Sequence, residues 1–198
     1  IEGGEGDAGG LASELSQFVD RDAVVSCIRE ICSAAYPNPG FAKSYDWLSD
    51  TLGKYQEQPM LIAPALPDMV DPLTAKMLEI IAGEGSGDVT AIFNDKDKKR
   101  SEGRCFDEIC KILQLICRVR GYKYVMKLFP HEVSQLEPCL FLLLAHNRSD
   151  FSTWETRYVL LLWLCILCLI PFDICSIDSS LKNTSLTSHA PGAADGKQ

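Results

Sequence analysis

A chain of 198 residues, 46% hydrophobic and 23% charged, has the length of one domain and enough apolar mass for a packed core, which excludes wholesale disorder. Twenty-seven acids against 19 bases give a net charge of −8, which argues against a phosphate-backbone binder and hence against nucleic acid as a partner. The charge is uneven: residues 1–88 carry 15 acids and 5 bases, whereas residues 89–198 carry 12 acids and 14 bases.

Residues 1–10, IEGGEGDAGG, have nothing to bury and predict a disordered acidic start. The opening has neither the basic start nor the apolar run of a secretory leader, and no initiator Met, so a fragment or processed chain is expected. A helical rhythm runs through Leu11, Leu15, Phe18 and Val19, then through Val24, Val25, Ile28, Ile31 and Cys32. Tyr36-Pro-Asn-Pro-Gly40 stops it. Tyr45, Leu48, Leu52 and Tyr55 mark one face of the next helix, and Pro59 and Pro64 bracket a connection. Asp71-Pro72 predicts a helix start, with Asp as N-cap and Pro where a missing N–H does no harm. Its stripe is Leu73, Met77, Ile80 and Ile81, and Gly83 is placed to end it.

Residues 83–104 read as a Gly-, Asp- and Lys-rich loop. Phe106, Ile109, Cys110, Leu113, Ile116 and Cys117 then form the cleanest amphipathic pattern in the chain. Gly121 interrupts before a short piece ending at Phe129-Pro130, and Pro138 opens another helix that runs to about His146. Ser152-Thr-Trp-Glu155 has the form of a capping box. It leads into Tyr158–Phe172, 15 residues without a charge. A bilayer core needs about 20 apolar residues. The run is therefore read as a helix buried on all sides, and stable membrane insertion is not expected. Residues 179–198 read as a flexible tail. Strand patterns are nearly absent. The expectation is all-α: six to eight helices in antiparallel hairpins over 11–178, as in a degenerate HEAT/armadillo-type solenoid fragment.

Chemistry is sparse. Cys165-x-x-Cys168 suggests a redox or zinc site, but it lies mid-helix among Leu, Ile and Trp, where thiols pack as small hydrophobes. Only Cys175 is near enough in sequence to add a ligand, so no metal or other cofactor is expected. Cys27/Cys32 and Cys105/Cys110 read as stripe residues. Nine cysteines, most of them in apolar helical stretches, fit a reducing, cytosolic setting. His131, His146 and His189 have no evident nucleophile or acid partner, so no catalytic dyad is assigned and the chain is not read as an enzyme. Gly83-Glu-Gly-Ser-Gly87 lacks the Lys-Ser/Thr ending of a phosphate loop, and Asp95-Lys-Asp-Lys-Lys-Arg100 is a solvated charge run. Asn147-Arg-Ser149 and Asn183-Thr-Ser185 match the glycosylation pattern, which a cytosolic chain would not use. Between residues 111 and 148, six bases (Lys111, Arg118, Arg120, Lys123, Lys127, Arg148) face two acids, a local excess able to steer an acidic protein.

Several words occur in a fixed order: Lys54-Tyr-Gln-Glu-Gln-Pro59, Arg120-Gly-Tyr-Lys123, Leu128-Phe-Pro-His-Glu-Val133, Glu155-x-Arg157-Tyr with Leu160-Leu-Leu-Trp-Leu164, and Cys168-Leu-Ile-Pro-Phe-Asp173. Over about residues 43–180 the chain resembles the N-terminal region of the tubulin-specific chaperone D (tubulin-folding cofactor D) family. That resemblance implies a very large cytosolic, cytoskeleton-associated helical-repeat protein that captures β-tubulin. Such proteins act with other tubulin-folding cofactors and an Arf-like small GTPase in assembly and disassembly of the αβ-tubulin dimer. The family stimulates tubulin GTP hydrolysis only together with its partners. Arg120, Lys123, Lys127 and His131 are the candidate partner surface. The rival readings are a membrane-associated protein anchored through 158–172, and a helical-repeat interaction module without chaperone function. A solenoid ending here is expected to expose part of Leu160–Leu169, where a following hairpin would dock.

Overall fold

The computed structural model describes residues 17–83, 89–94 and 99–171, and of residues 94 and 99–102 the backbone alone. The readings of residues 1–16, with Leu11 and Leu15, of 84–88 and 95–98, of 172–178 with Cys175, and of the tail with Asn183 and His189 fall outside these. Among the described residues the chain is helical, with no strand. The helices are α1 (Arg21–Ser33), α2 (Phe41–Gly53), α3 (Leu66–Gly83), α4 (Ala91–Asn94), α5 (Lys99–Arg120), α6 (Tyr122–Val125), α7 (Leu136–Ala145) and α8 (Trp154–Cys168), with single 3-10 turns at four junctions.

The first two helices follow their apolar spacing. Val24, Val25, Ile28 and Ile31 of α1 are buried, as are Leu48 and Leu52 of α2. The entry to α1 is pinned from two sides. Asp20 accepts a 2.7 Å hydrogen bond from the Tyr55 hydroxyl, and Arg21 pairs with Asp68 of α3 at 2.6 Å. Helix α3 departs from expectation. It begins at Leu66, after a 3-10 turn at Ala63–Ala65, and carries Pro72 inside. Pro67 already occupies the first turn, where its missing N–H is harmless. Starting there adds Leu66, Met69 and Val70 to the buried stripe.

The segment read as a loop is shorter than 83–104, because α4 forms at Ala91–Asn94 and α5 begins at Lys99. Gly103 accounts for the fit of these two helices. A Cβ placed there would lie 2.6 Å from the Ile92 carbonyl oxygen, so only glycine allows this approach. Gly103→Ala is therefore expected to lower the thermal midpoint, by about 1–3 kcal/mol of overpacking, although alanine is the better helix former by about 1 kcal/mol. An unchanged or raised midpoint would show that α4 simply moves aside.

Helix α5 is the central post: α2, α3, α4, α6 and α8 all pack against it. It buries the expected Phe106, Ile109, Cys110, Leu113, Ile116 and Cys117, and also Ile112, Leu115 and Val119 on its other sides. The last layer is the α7–α8 hairpin. Here the capping box read at Ser152/Glu155 is absent. Asp150 takes that role, accepting from the Ser152 N–H at 3.0 Å and the Ser152 hydroxyl at 2.6 Å. A capping box does form at Glu132/Gln135, ahead of α7.

Helix α8 is not buried on all sides. Thr156, Val159, Leu160, Trp163 and Leu167 face inward, whereas Leu161 and Leu169 are 46% and 72% exposed. Cys165 and Cys168 are exposed as well, which corrects their reading as core residues.

Candidate interaction surface

The candidate basic residues lie where α5 ends. Gly121, with φ of +97°, breaks the helix in a conformation that suits glycine, and the chain restarts as α6. A 3-10 turn at Met126–Leu128 follows. Buried Val125 and Phe129 anchor this stretch, and Trp163 of α8 donates its indole N–H to the Pro130 carbonyl at 2.7 Å. The short piece thus ends at Phe129-Pro130 on two buried rings and one hydrogen bond.

The four predicted residues are not equivalent. Lys123, Lys127 and His131 are exposed, and His131 Nδ1 lies 3.1 Å from the Phe129 carbonyl oxygen. Arg120 is 7% exposed and lies beneath them. Its guanidinium stacks 3.5 Å from the centre of the Tyr124 ring, and Nη2 contacts Met60 Sδ at 3.3 Å. Its Nε is buried without a hydrogen-bond partner. Lys127 Nζ stands 5.8 Å from the same ring. Tyr124 is therefore a platform between two cations, and Tyr122 beside it is also exposed. Sequence reasoning by charge alone missed both tyrosines, although they alternate with lysine in Tyr122-Lys-Tyr124. Arg118 is exposed and donates to Ser49 Oγ at 3.2 Å. Lys111 lines a cleft with Asp107 and Glu108, away from the α6 turn. The six bases of 111–148 thus do not act as one patch.

A second surface is apolar. Leu140, Phe141 and Leu144 of α7 are exposed, as are Trp154, Leu161 and Leu169 of the following hairpin arm. Phe151–Cys168 is the one stretch among the described residues long and apolar enough to cross a membrane, a test that core helices also pass. Its inner face is tied into the bundle by Trp163 and by the Thr156 hydroxyl, which donates to Asp107.

The shielded thiols offer little reactivity. Burial pushes Cys117 and Cys139 up to about 12 and Cys32 to about 11, which keeps them protonated. Among the described residues no group of three His, Cys, Asp or Glu side chains could hold a metal ion.

Comparison with known proteins agrees with this architecture. The family model described as "Tubulin-specific chaperone D-like, ARM repeat" matches residues 52–194. Tubulin-folding cofactor D of Schizosaccharomyces pombe is 29% identical over 167 residues, covering 82% of this chain. The chain spans 13% of the length of that relative. No solved structure matches. With its match over well more than half the chain and its all-helical hairpin build, the chain belongs to the tubulin-specific chaperone D-like ARM-repeat family.

Proposed function

We propose that this chain is the helical-repeat part of a tubulin-folding cofactor that binds β-tubulin. In this reading it takes part in assembly and disassembly of the αβ-tubulin dimer in the cytoplasm, with other cofactors and an Arf-like small GTPase. The observation that carries the reading is the family match over residues 52–194. In this reading contact is made at the α6 turn, and its geometry supports that. Lys123, Lys127 and His131 project from a turn fixed by Trp163, with Arg120 stiffening the Tyr124 platform below. Exposed lysines on a rigid mount suit an acidic protein surface and speed encounter with it. The exposed faces of α7 and α8 suit a different task, the docking of the next helical repeat, because a solenoid unit buries one face against each neighbour.

The test is binding of purified αβ-tubulin and of the GTPase to this chain and to Lys123→Glu/Lys127→Glu, over a salt series. Reversal of two exposed charges is expected to weaken binding about tenfold at low salt and to flatten the salt dependence, with an unchanged circular dichroism spectrum. Equal affinity of the two proteins at low salt would remove this surface from the reading. The membrane-anchored alternative separates cleanly: a chain using α8 as an anchor survives a carbonate wash, and the proposed one does not.

A further inference from the structure

A cleft of about 840 Å³ opens along the first half of α5, away from the end that leads into the α6 turn, between α5, α4 and the C-terminal end of α7. Its floor is the solvent stripe of α5, including Asp107 and Glu108. Neither carboxylate belongs to an ion pair among the described residues, where the pairs are Arg21–Asp68 and Lys76–Glu79. Asp107 is largely shielded from water and Glu108 about half so: burial pushes Asp107 up to about 6 and Glu108 up to about 7. The wall beyond them is His146, 4% exposed, which caps α7 with its N–H on the Leu142 carbonyl. Its Nδ1 is buried without a hydrogen-bond partner, and burial with the nearby Arg157 holds the ring below its ordinary pKa and so neutral. The Phe93 ring meets His146 edge-on at 5.3 Å, and Tyr36 closes the rim.

We propose that this cleft is a docking pocket for an arginine side chain presented by a segment of a partner protein. The proposal does not depend on the tubulin reading. Four features converge on a guanidinium. A shielded carboxylate beside a half-shielded one gains from a cation that forms several N–H bonds at once. Helix α7 points its carbonyl end, the negative pole of its dipole, at the same space. Aromatic walls accept a planar cation on their faces, as Tyr124 already does for Arg120. A small turn of the His146 ring would offer its unpaired nitrogen as one more acceptor to an arriving N–H. Arg104 and Lys111 also line the cleft, and Arg157 approaches His146 from α8. Among the residues that line the cleft, Asp107, Glu108 and Asp150 stand against Arg104 and Lys111, an excess of one negative charge when all are ionised. Lys111 lowers both carboxyl pKa values and Arg104 that of Glu108, without overcoming burial.

The probe is N-acetyl-arginine methylamide titrated into the intact chain, with the imidazole resonances of His146 read by NMR and exposed His131 as the internal control. N-acetyl-citrulline methylamide, of the same shape and without charge, is the matched comparison. The expected result is saturable movement of His146 with a Kd on the order of 1–10 mM, at least fivefold weaker binding of citrulline, and at least fivefold weakening by Glu108→Gln. Glu108 is half-buried on the rim of the α5 floor, where glutamine has the same shape, so this variant folds; Asp107→Asn is the second, expected to act alike. Equal binding of citrulline, full affinity in both variants, or no movement of His146 would each overturn the proposal.

Discussion

Trp163→Ala is expected to destabilise the chain by about 4 kcal/mol. Trp163 is 1% exposed and is the largest buried side chain among the described residues. Its removal leaves a cavity between α8 and its neighbours that backbone shifts close only in part. It also strands the Pro130 carbonyl, which loses its 2.7 Å donor. Trp163→Phe keeps most of the volume and loses the hydrogen bond, so about 1–2 kcal/mol is expected. Urea denaturation at constant m-value gives both numbers, with exposed Trp47→Phe as the neutral control. A loss below about 1 kcal/mol for the alanine variant would mean that α8 is held mainly by other contacts. The Pro130 anchor sits beside Lys127 and His131, so the same variant should loosen the basic surface before it unfolds the chain.

Stability should also rise as the solution is acidified from neutrality, and Asp107 is the main reason. Burial raises its carboxyl from 3.8 to about 6, opposed by the Thr156 hydrogen bond and Lys111, while Asp150 and Glu155 add to the rise. In the unfolded chain the proton leaves near pH 3.8, whereas the folded chain holds it until about 6. Between these values the unfolded state binds fewer protons, so stability falls as pH rises, and the full penalty is present above pH 6. Two units correspond to roughly 3 kcal/mol. Glu108, raised to about 7, extends the window upward, discounted because it is half-exposed. Asp107→Asn keeps an acceptor for Thr156 and removes the charge. It should be more stable than the parent at about pH 7.5 by about 2–3 kcal/mol and equal to it near pH 4. Parallel profiles for parent and variant would show that water reaches this carboxylate.

The helices were legible where burial follows a regular stripe. Leu73, Met77 and Ile80, or Phe106 and Leu113, announce their faces because one neighbour on one side selects residues three and four apart. What the sequence could not convey is which helix has neighbours on every side. The pattern makes α5 one-sided and α8 fully buried, and the structure nearly exchanges the roles. Ile112, Leu115 and Val119 are buried because α5 stands in the middle, whereas Leu161, Cys165 and Cys168 are as apolar yet face outward. Apolar composition records that a partner is used at some time, without saying whether that partner lies in the same stretch of chain. The start of α3 differs from expectation for a local reason: Asp71-Pro72 and Leu66-Pro67 are both acceptable first turns, and the choice rests on burying Met69 and Val70. The basic surface was legible in Lys123, Lys127 and His131, but the depth of Arg120 depends on the Tyr124 ring closing over it.

The position of α5 bears on how the fold comes apart. In an array of self-contained repeats, an end unit can open while the rest persists. Here α2, α3, α4, α6 and α8 all lean on one 22-residue helix, so no hairpin carries a private core. The amides around Leu113 and Ile116 should therefore exchange with solvent only through global unfolding, and those of α2 and α8 should join them in one cooperative block. A cut within α5 would abolish both halves together, whereas the exposed turn at Asn147–Asp150 could be nicked with the two pieces remaining associated.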